Sequence, residues 1–381
     1  MKIKLLTILT TLVITSCSEK STSEEKTRSS VDKKAIVIHY SKIVHATYQD
    51  SLKAAQNLRQ EIKSFVEEPT ADGLQKSKEA WLAARSPYGQ SEGFRFYSGP
   101  IDDENGPEGL LNAWPLDETY IDSETALKGI IQNTEKFPII NAEILTKLNE
   151  KEGEENISTG YHAIEFLLWG IDTSAETAGN RNLTDFTTQK YANRRLTYLT
   201  VVTDLLCQHL NDLEAQWKPN EDNYRAGFEK LTTDQALTNI LNGIGMLSGF
   251  ELARERIDVP YNTMSQEDEH SCFSDNTHKD ILYNALSVQN VFEGRYNGIN
   301  YSVADGPSVK DLFANGQGIA DTINQSVKHA ELLKAPFDQL ILAENTAGRE
   351  SIKTLIDSLV DQAQKLSTES ENIDLKINIE E

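Results

Sequence analysis

The sequence predicts an all-α body built as two four-helix-bundle-like domains. Three observations lead there. After residue 35, apolar residues recur at intervals of three and four over most of the chain, the period of helices that bury one face. Period-two alternation nowhere persists long enough to define a sheet. The 381 residues also exceed what one hydrophobic core ordinarily supports. Hydrophobic residues at 38% and charged residues at 25% suffice for a packed core. The 37 Lys and Arg against 59 Asp and Glu leave a formal net charge of −22, which repels phosphate backbones and anionic lipid and excludes nucleic acid as a partner.

The first element is not part of that body. Lys2 and Lys4 precede an uncharged run from Leu5 to Ser16, too short to span a bilayer as a permanent helix. Small residues then lead into Cys17. The pattern resembles a bacterial lipoprotein signal, which implies a signal peptide over 1–16 and lipidation at Cys17. Residues 17–34 are Ser, Thr and charge, a flexible tether with little to bury. The expected location is the cell envelope, periplasmic or surface-facing, with the membrane reached through the N-terminal lipid only.

From Ile36 to Phe65 the pattern is one long amphipathic helix, and Pro69-Thr70 ends it and caps the next. Gly and Pro cluster from Pro87 to Pro115. Helical patterns follow over 123–149, 160–171, 189–217 and 233–257, then from Asp280, Ser308 and Pro336. The polar stretch 172–188 is the expected domain boundary, giving an N-terminal bundle over 35–188, a C-terminal bundle over 189–370 and a polar tail over 371–381. The halves share a faint order of motifs, as a degenerate duplication would produce. Cys207, in a helical pattern, reads as a buried thiol, and a bridge to Cys272 is the lesser alternative.

Chemistry concentrates in GYHAIEFLLWG, Gly160 to Gly170. His162 and Glu165 are three apart, so a helix brings both to one face, and the surrounding residues are apolar on every side. A buried imidazole and carboxylate must be satisfied by each other, by another segment or by a metal. A structural His–Glu hydrogen bond and a ligand pair both fit that spacing. Two ligands do not complete a metal site, and the segment is not a two-histidine zinc helix.

GYHAIEFLLWG resembles the GxHxxE signature of the imelysin family, exported bacterial proteins first described as insulin-cleaving metallopeptidases and related to iron-regulated proteins. WLAARSPYGQSEGFRF (81–96), NAWPLDETYID (112–122), GFELARERI (249–257) and SQEDEHSCFSDNTHKD (265–280) also fit it, so the likeness spreads over about residues 36 to 365. The resemblance implies two helical bundles with a cleft, and His162 and Glu165 as a metal or active-site element. Asp117, Glu118, Glu267, Glu269 and His270 are the candidates for further cleft residues. Each also has a structural reading as a helix cap or a loop hydrogen-bonding group.

Two functions follow as expectations. In the first, a lipid-anchored lipoprotein binds a metal ion or metal-bearing ligand, iron favoured, and serves iron uptake, with envelope proteins as further partners. In the second, His162 and Glu165 hold zinc in a metallopeptidase. The second needs a third ligand, an open position and a separate base, none of which the motif supplies.

Overall fold

The first long helix begins where the tether ends. In the computed structural model, which describes residues 31–123 and 129–380, Asp32 caps helix α1 (Lys33–Glu67) by accepting from the Ala35 amide at 3.0 Å. The expected signal peptide, Cys17 and nearly all of the tether lie outside the described residues. Thr70 caps α2 (Ala71–Gly89) through the Gly73 amide at 3.1 Å, as Pro69-Thr70 predicts.

Helix α3 (Gly160–Trp169) is buried along its whole length, and α4 (Ala192–Trp217) carries the Leu-rich face read from the sequence. Helices α1 and α3 each pack against both α2 and α4, which closes a first ring of four. The chain beyond residue 188 therefore completes the first ring, and the expected 172–188 boundary falls inside it. The reason is burial, because an all-apolar α3 needs a fourth helix over its open side.

The second ring starts with α5 (Thr233–Met246), opened by a Thr232–Gln235 capping box. It continues without a break as a π-helix over Leu247–Asp258. This π segment packs on α6 (Thr277–Glu293) and α8 (Thr346–Glu371), and α7 (Gly316–Glu331) closes the ring between those two. The rings join where α6 meets α2 and α5 meets α1. From Asp32 onward the chain is one compact unit. No described helix is long and apolar enough to cross a membrane.

Two expectations are corrected. Among the described residues of the helical pattern over 123–149, the helix is only Ala142–Leu148. Arg194 explains the rest: its guanidinium donates to the carbonyls of Ile130, Ile131 and Phe137 at 2.9, 2.6 and 2.7 Å, which lets turns replace helical bonds there. The tail past residue 371 is not simply polar. Leu375 is buried, and Ile377 and Ile379 lie against Gly245, where an added Cβ would stand 3.1 Å from each side chain. A two-residue hairpin, β1 (Tyr296–Asn297) and β2 (Ser302–Val303), is a minor addition.

Candidate metal centre

The start of α3 is fixed before its side chains matter. Gly160 has φ +85°, and a Cβ there would stand 2.6 Å from the Leu111 carbonyl oxygen, so the leading glycine of the motif is a steric requirement. Asn149 Oδ1 accepts from the amides of Ser158 and Thr159 at 3.0 and 3.1 Å and holds the approach. Neither hydroxyl caps the helix: Ser158 Oγ donates to the Leu145 carbonyl and Thr159 Oγ1 to Asn149. Trp81 Nε1 donates to the Tyr161 carbonyl at 2.9 Å and ties α2 to α3.

His162 Nδ1 lies 2.9 Å from Glu165 Oε2, the one-face pairing that their spacing predicts. Glu165 Oε1 accepts from both the amide and the hydroxyl of Ser274, at 2.9 and 2.7 Å. Both oxygens of Glu165 are thus engaged. His162 Nε2 is buried and has no hydrogen-bond partner. Burial pushes the Glu165 carboxyl up to about 8. Burial, with the Arg85 charge, holds His162 well below the usual imidazole range, so near neutrality the imidazole is neutral and the protonated Glu165 carboxyl faces its Nδ1. Ligation through Nε2 needs the Nδ1–H tautomer facing an ionised Glu165, so a metal ion binding there would displace one proton from the pair.

His270 stands beside this nitrogen, its ring centroid 4.8 Å from that of His162. Its Nδ1 is 3.2 Å from Asp280 Oδ2 and its Nε2 3.3 Å from Asn112 Nδ2. A carboxylate can only accept here, so Nδ1 carries the proton and Nε2 accepts from Asn112. Trp114 covers the edge of the ring at 5.2 Å between centroids. Asp280 also takes Arg85 Nε at 3.1 Å. Burial raises the Asp280 carboxyl, but the Arg85 charge and the His270 contact outweigh it and keep the group ionised.

Behind His270 lies a second polar layer. Glu92 accepts from Arg95 at 2.8 Å and Arg256 at 2.9 Å, and Glu251 from Arg256 at 2.7 Å. Arg256 also donates to Asn284 at 2.7 Å. Glu251 and Arg254, three apart in sequence, do not pair; Arg254 meets Glu380 near the surface instead. The π-helix is the cause, since its wider turn brings residues five apart, Glu251 and Arg256, to one face.

The remaining candidates separate. Asp117 caps the short helix Glu118–Ile121 through the Thr119 amide at 2.8 Å, which is its structural reading. Glu118 meets Glu267 side chain to side chain, and burial with that neighbour pushes Glu118 up to about 7. Glu269 is buried away from His162, beside Asp338, Asp275 and Asp172, and its carboxyl is pushed well up by burial and by their charge. Cys272 and Cys207 are both free thiols. Burial drives the Cys272 thiol far above its ordinary range, so in the metal-free protein it is protonated at neutral pH.

Sequence reasoning missed Asn112, Trp114, Arg256 and Asp280, although each sits inside a quoted motif, and it missed Asp172 and Asp338 altogether. The Pro336-Phe337-Asp338 start of a short apolar helix was the available signal for Asp338. A cavity of about 460 Å³ is lined by Phe166, Trp169 and Arg181 toward the C-terminal end of α3, and neither His162 nor Glu165 lines it.

With this geometry in view, the relatives can be placed. A crystal structure from Parabacteroides distasonis ATCC 8503, provisionally named an iron-regulated protein A precursor, superposes with a TM-score of 0.69 at 20% identity, covering 88% of this chain and 94% of that one. An imelysin-like protein from Psychrobacter arcticum 273-4 gives 0.65 at 16% identity, covering 91% and 96%. Both show a shared all-α fold. Iron-regulated protein A of Synechococcus elongatus is 26% identical over 262 residues, 66% of this chain and 62% of that protein, so the match spans less than two thirds of the relative's length. The family model described as Imelysin matches residues 44–366, which takes in both rings and every motif above. The chain belongs to the imelysin family.

Proposed function

We propose that the protein binds a metal ion or a metal-bearing ligand, iron favoured, at His162, in the seam between the two helix rings, and that it does so from the cell envelope in the service of iron uptake. The buried, unpartnered Nε2 of His162 carries this reading. A buried donor or acceptor without a partner costs about 1–3 kcal/mol, and a metal is one partner that would repay it.

The residues fit a metal as follows. His162 would ligate through Nε2, while Glu165 holds the opposite ring nitrogen and Ser274 holds Glu165, the relay that sets ring orientation and basicity at metal-bound imidazoles. Among the described residues no group of three ligating side chains includes His162, so further donors would come with the metal, as water or a chelator. Nitrogen and oxygen donors beside a protonated thiol suit iron better than a soft-ligand ion. Lipid attachment at Cys17 rests on the residues around the expected cleavage point, and the iron role on the names of the relatives. The zinc peptidase ranks second, because it needs a third protein ligand and a separate base, and among the described residues no group of three ligating side chains includes His162.

The test is anaerobic titration of the purified protein with Fe(II), and with Zn(II) in parallel, read by calorimetry and elemental analysis. His162→Ala should abolish uptake, and Glu165→Ala should weaken it by about 10–100-fold. Equal uptake by wild type and both variants would end the binding reading. Metal-dependent cleavage of an unfolded peptide, lost in both variants, would promote the peptidase.

A further inference from the structure

A second group of ligating side chains lies apart from His162. One carboxylate oxygen from each of Asp172, Asp275 and Asp338 falls within 4.8 Å of the other two. They come from three separate segments: the loop after α3, the turn before α6 and the short helix Phe337–Ile341. Asp172 is 6% exposed and Asp338 4%.

In each of those two, Oδ1 already accepts a nearby amide, from Ser174 at 3.0 Å and from Gln339 at 2.8 Å. Their Oδ2 atoms are buried and without a partner. A fourth acid supplies an independent observation. Glu269, 3% exposed, has an unpartnered Oε1 and stands within electrostatic reach of all three aspartates, Asp338 foremost. Other buried acids are paired or hydrogen-bonded on both oxygens: Asp122 meets Arg195 at 2.7 Å, Asp280 meets Arg85 at 3.1 Å, and Asp50 accepts from Tyr296 at 3.0 Å and the Asn300 amide at 2.9 Å. Among the described residues no Lys, Arg or His forms an ion pair with any of these four.

We propose that Asp172, Asp275 and Asp338 form a binding site for a hard divalent cation of the calcium class, with Glu269 contributing charge. All-oxygen donors exclude a soft metal. Three carboxylates from three irregular segments suit Ca²⁺, which accepts six to eight oxygens in loose geometry, better than Mg²⁺, which demands a near-ideal octahedron. The segments are already adjacent: Gln266 Nε2 donates to the Asp172 carbonyl at 2.9 Å, and the Gly179 amide to the Phe273 carbonyl at 2.9 Å. A cation here fastens them together. Ser274, next to Asp275, is the residue that holds Glu165, so the ion also steadies the wall of the His162 site.

The experiment uses the full-length protein stripped with EDTA, titrated with CaCl2 and separately with MgCl2, and followed by calorimetry and thermal unfolding. One Ca²⁺ per chain and a raised Tm are expected. Asp172→Asn and Asp338→Asn should each weaken Ca²⁺ at least tenfold, while their metal-free Tm equals or exceeds that of wild type because like charge has been removed. His162→Ala should keep full Ca²⁺ binding, which separates this site from the one proposed above. Should a variant fail to fold, the wild-type stoichiometry decides. No saturation of wild type by about 10 mM Ca²⁺, an order weaker than extracellular calcium modules, overturns the proposal. So does unchanged affinity in both variants, saturation by Mg²⁺ alone, or loss of binding in His162→Ala.

Discussion

Two buried charged regions lie within a few residues of each other along the 265–280 loop, and they are built in opposite ways. Around Asp280, Glu92 and Glu251, every carboxylate meets an arginine. Around Asp172, Asp275, Asp338 and Glu269, none does. Charge taken out of water is tolerable when a partner of opposite sign and a full set of hydrogen bonds compensate it. The arginine–acid lattice has the opposite charges, with Arg95 Nε left without a hydrogen-bond partner, and joins the two rings, so it is architecture. The acid-only group and the free nitrogen of His162 lack such a partner, and those are the places where a ligand would be stabilised.

That contrast breaks most sharply at Arg256. Arg256→Met removes the cation shared by Glu92 and Glu251 and leaves Arg95 to serve both, at a cost of about 3–5 kcal/mol. Urea denaturation should show it, and Glu251→Gln in the same chain should restore part of the loss. A change below about 1 kcal/mol would mean that the lattice is not what joins the rings.

Gly160→Ala should cost about 1–3 kcal/mol, since a side chain at φ +85° is strained and its Cβ meets the Leu111 carbonyl. Metal uptake should fall with stability, because the same shift displaces His162. A variant with wild-type stability would show that α3 can slide without harm.

Buried acids with and without an arginine partner should also respond to pH with opposite sign. Glu118, raised to about 7 by burial and Glu267, stays protonated in the fold when the unfolded chain has already ionised. Its contribution is full below about pH 4.5 and is lost as pH rises to about 7. For Glu251, burial is outweighed by Arg256 and Arg95, which hold it down to about 2. Its contribution is present above about pH 4.5 and is lost as pH falls through about 2. Glu118→Gln should flatten the stability profile between pH 4.5 and 7 and leave the acid limb in place; an unchanged slope there would refute the pairing with Glu267.

The smallest effect belongs to the surface. Lys147 and Glu143 are paired at 2.6 Å, yet both are largely exposed, and solvent screening should leave Lys147→Ala with no resolvable change in Tm. A clear drop would show that exposed pairs contribute here as buried ones do.

Much of the site was legible because helical periodicity is local. The spacing of His162 and Glu165 fixes their shared face wherever the helix is placed, and the apolar residues around them announce its burial. The failed reading of 123–149 shows the limit. Ile130, Ile131 and Phe137 look helical until Arg194, some sixty residues later, takes their carbonyls. The pairing of Glu251 with Arg256 is hidden for a similar reason, because a π-helix is chosen by packing and shifts the register of faces.

The sequence alone determined the all-α class and the buried His–Glu helix, since each follows from residues within one or two turns, whereas the requirement for glycine at the helix start is set by the distant Leu111 carbonyl. Only the tertiary structure decided which polar atoms end without partners. His162 Nε2, Asp172 Oδ2 and Asp338 Oδ2 are set apart by what long-range packing brings near them. No single segment carries that information, because a hydrogen bond or ion pair between distant residues depends on how the rings come together.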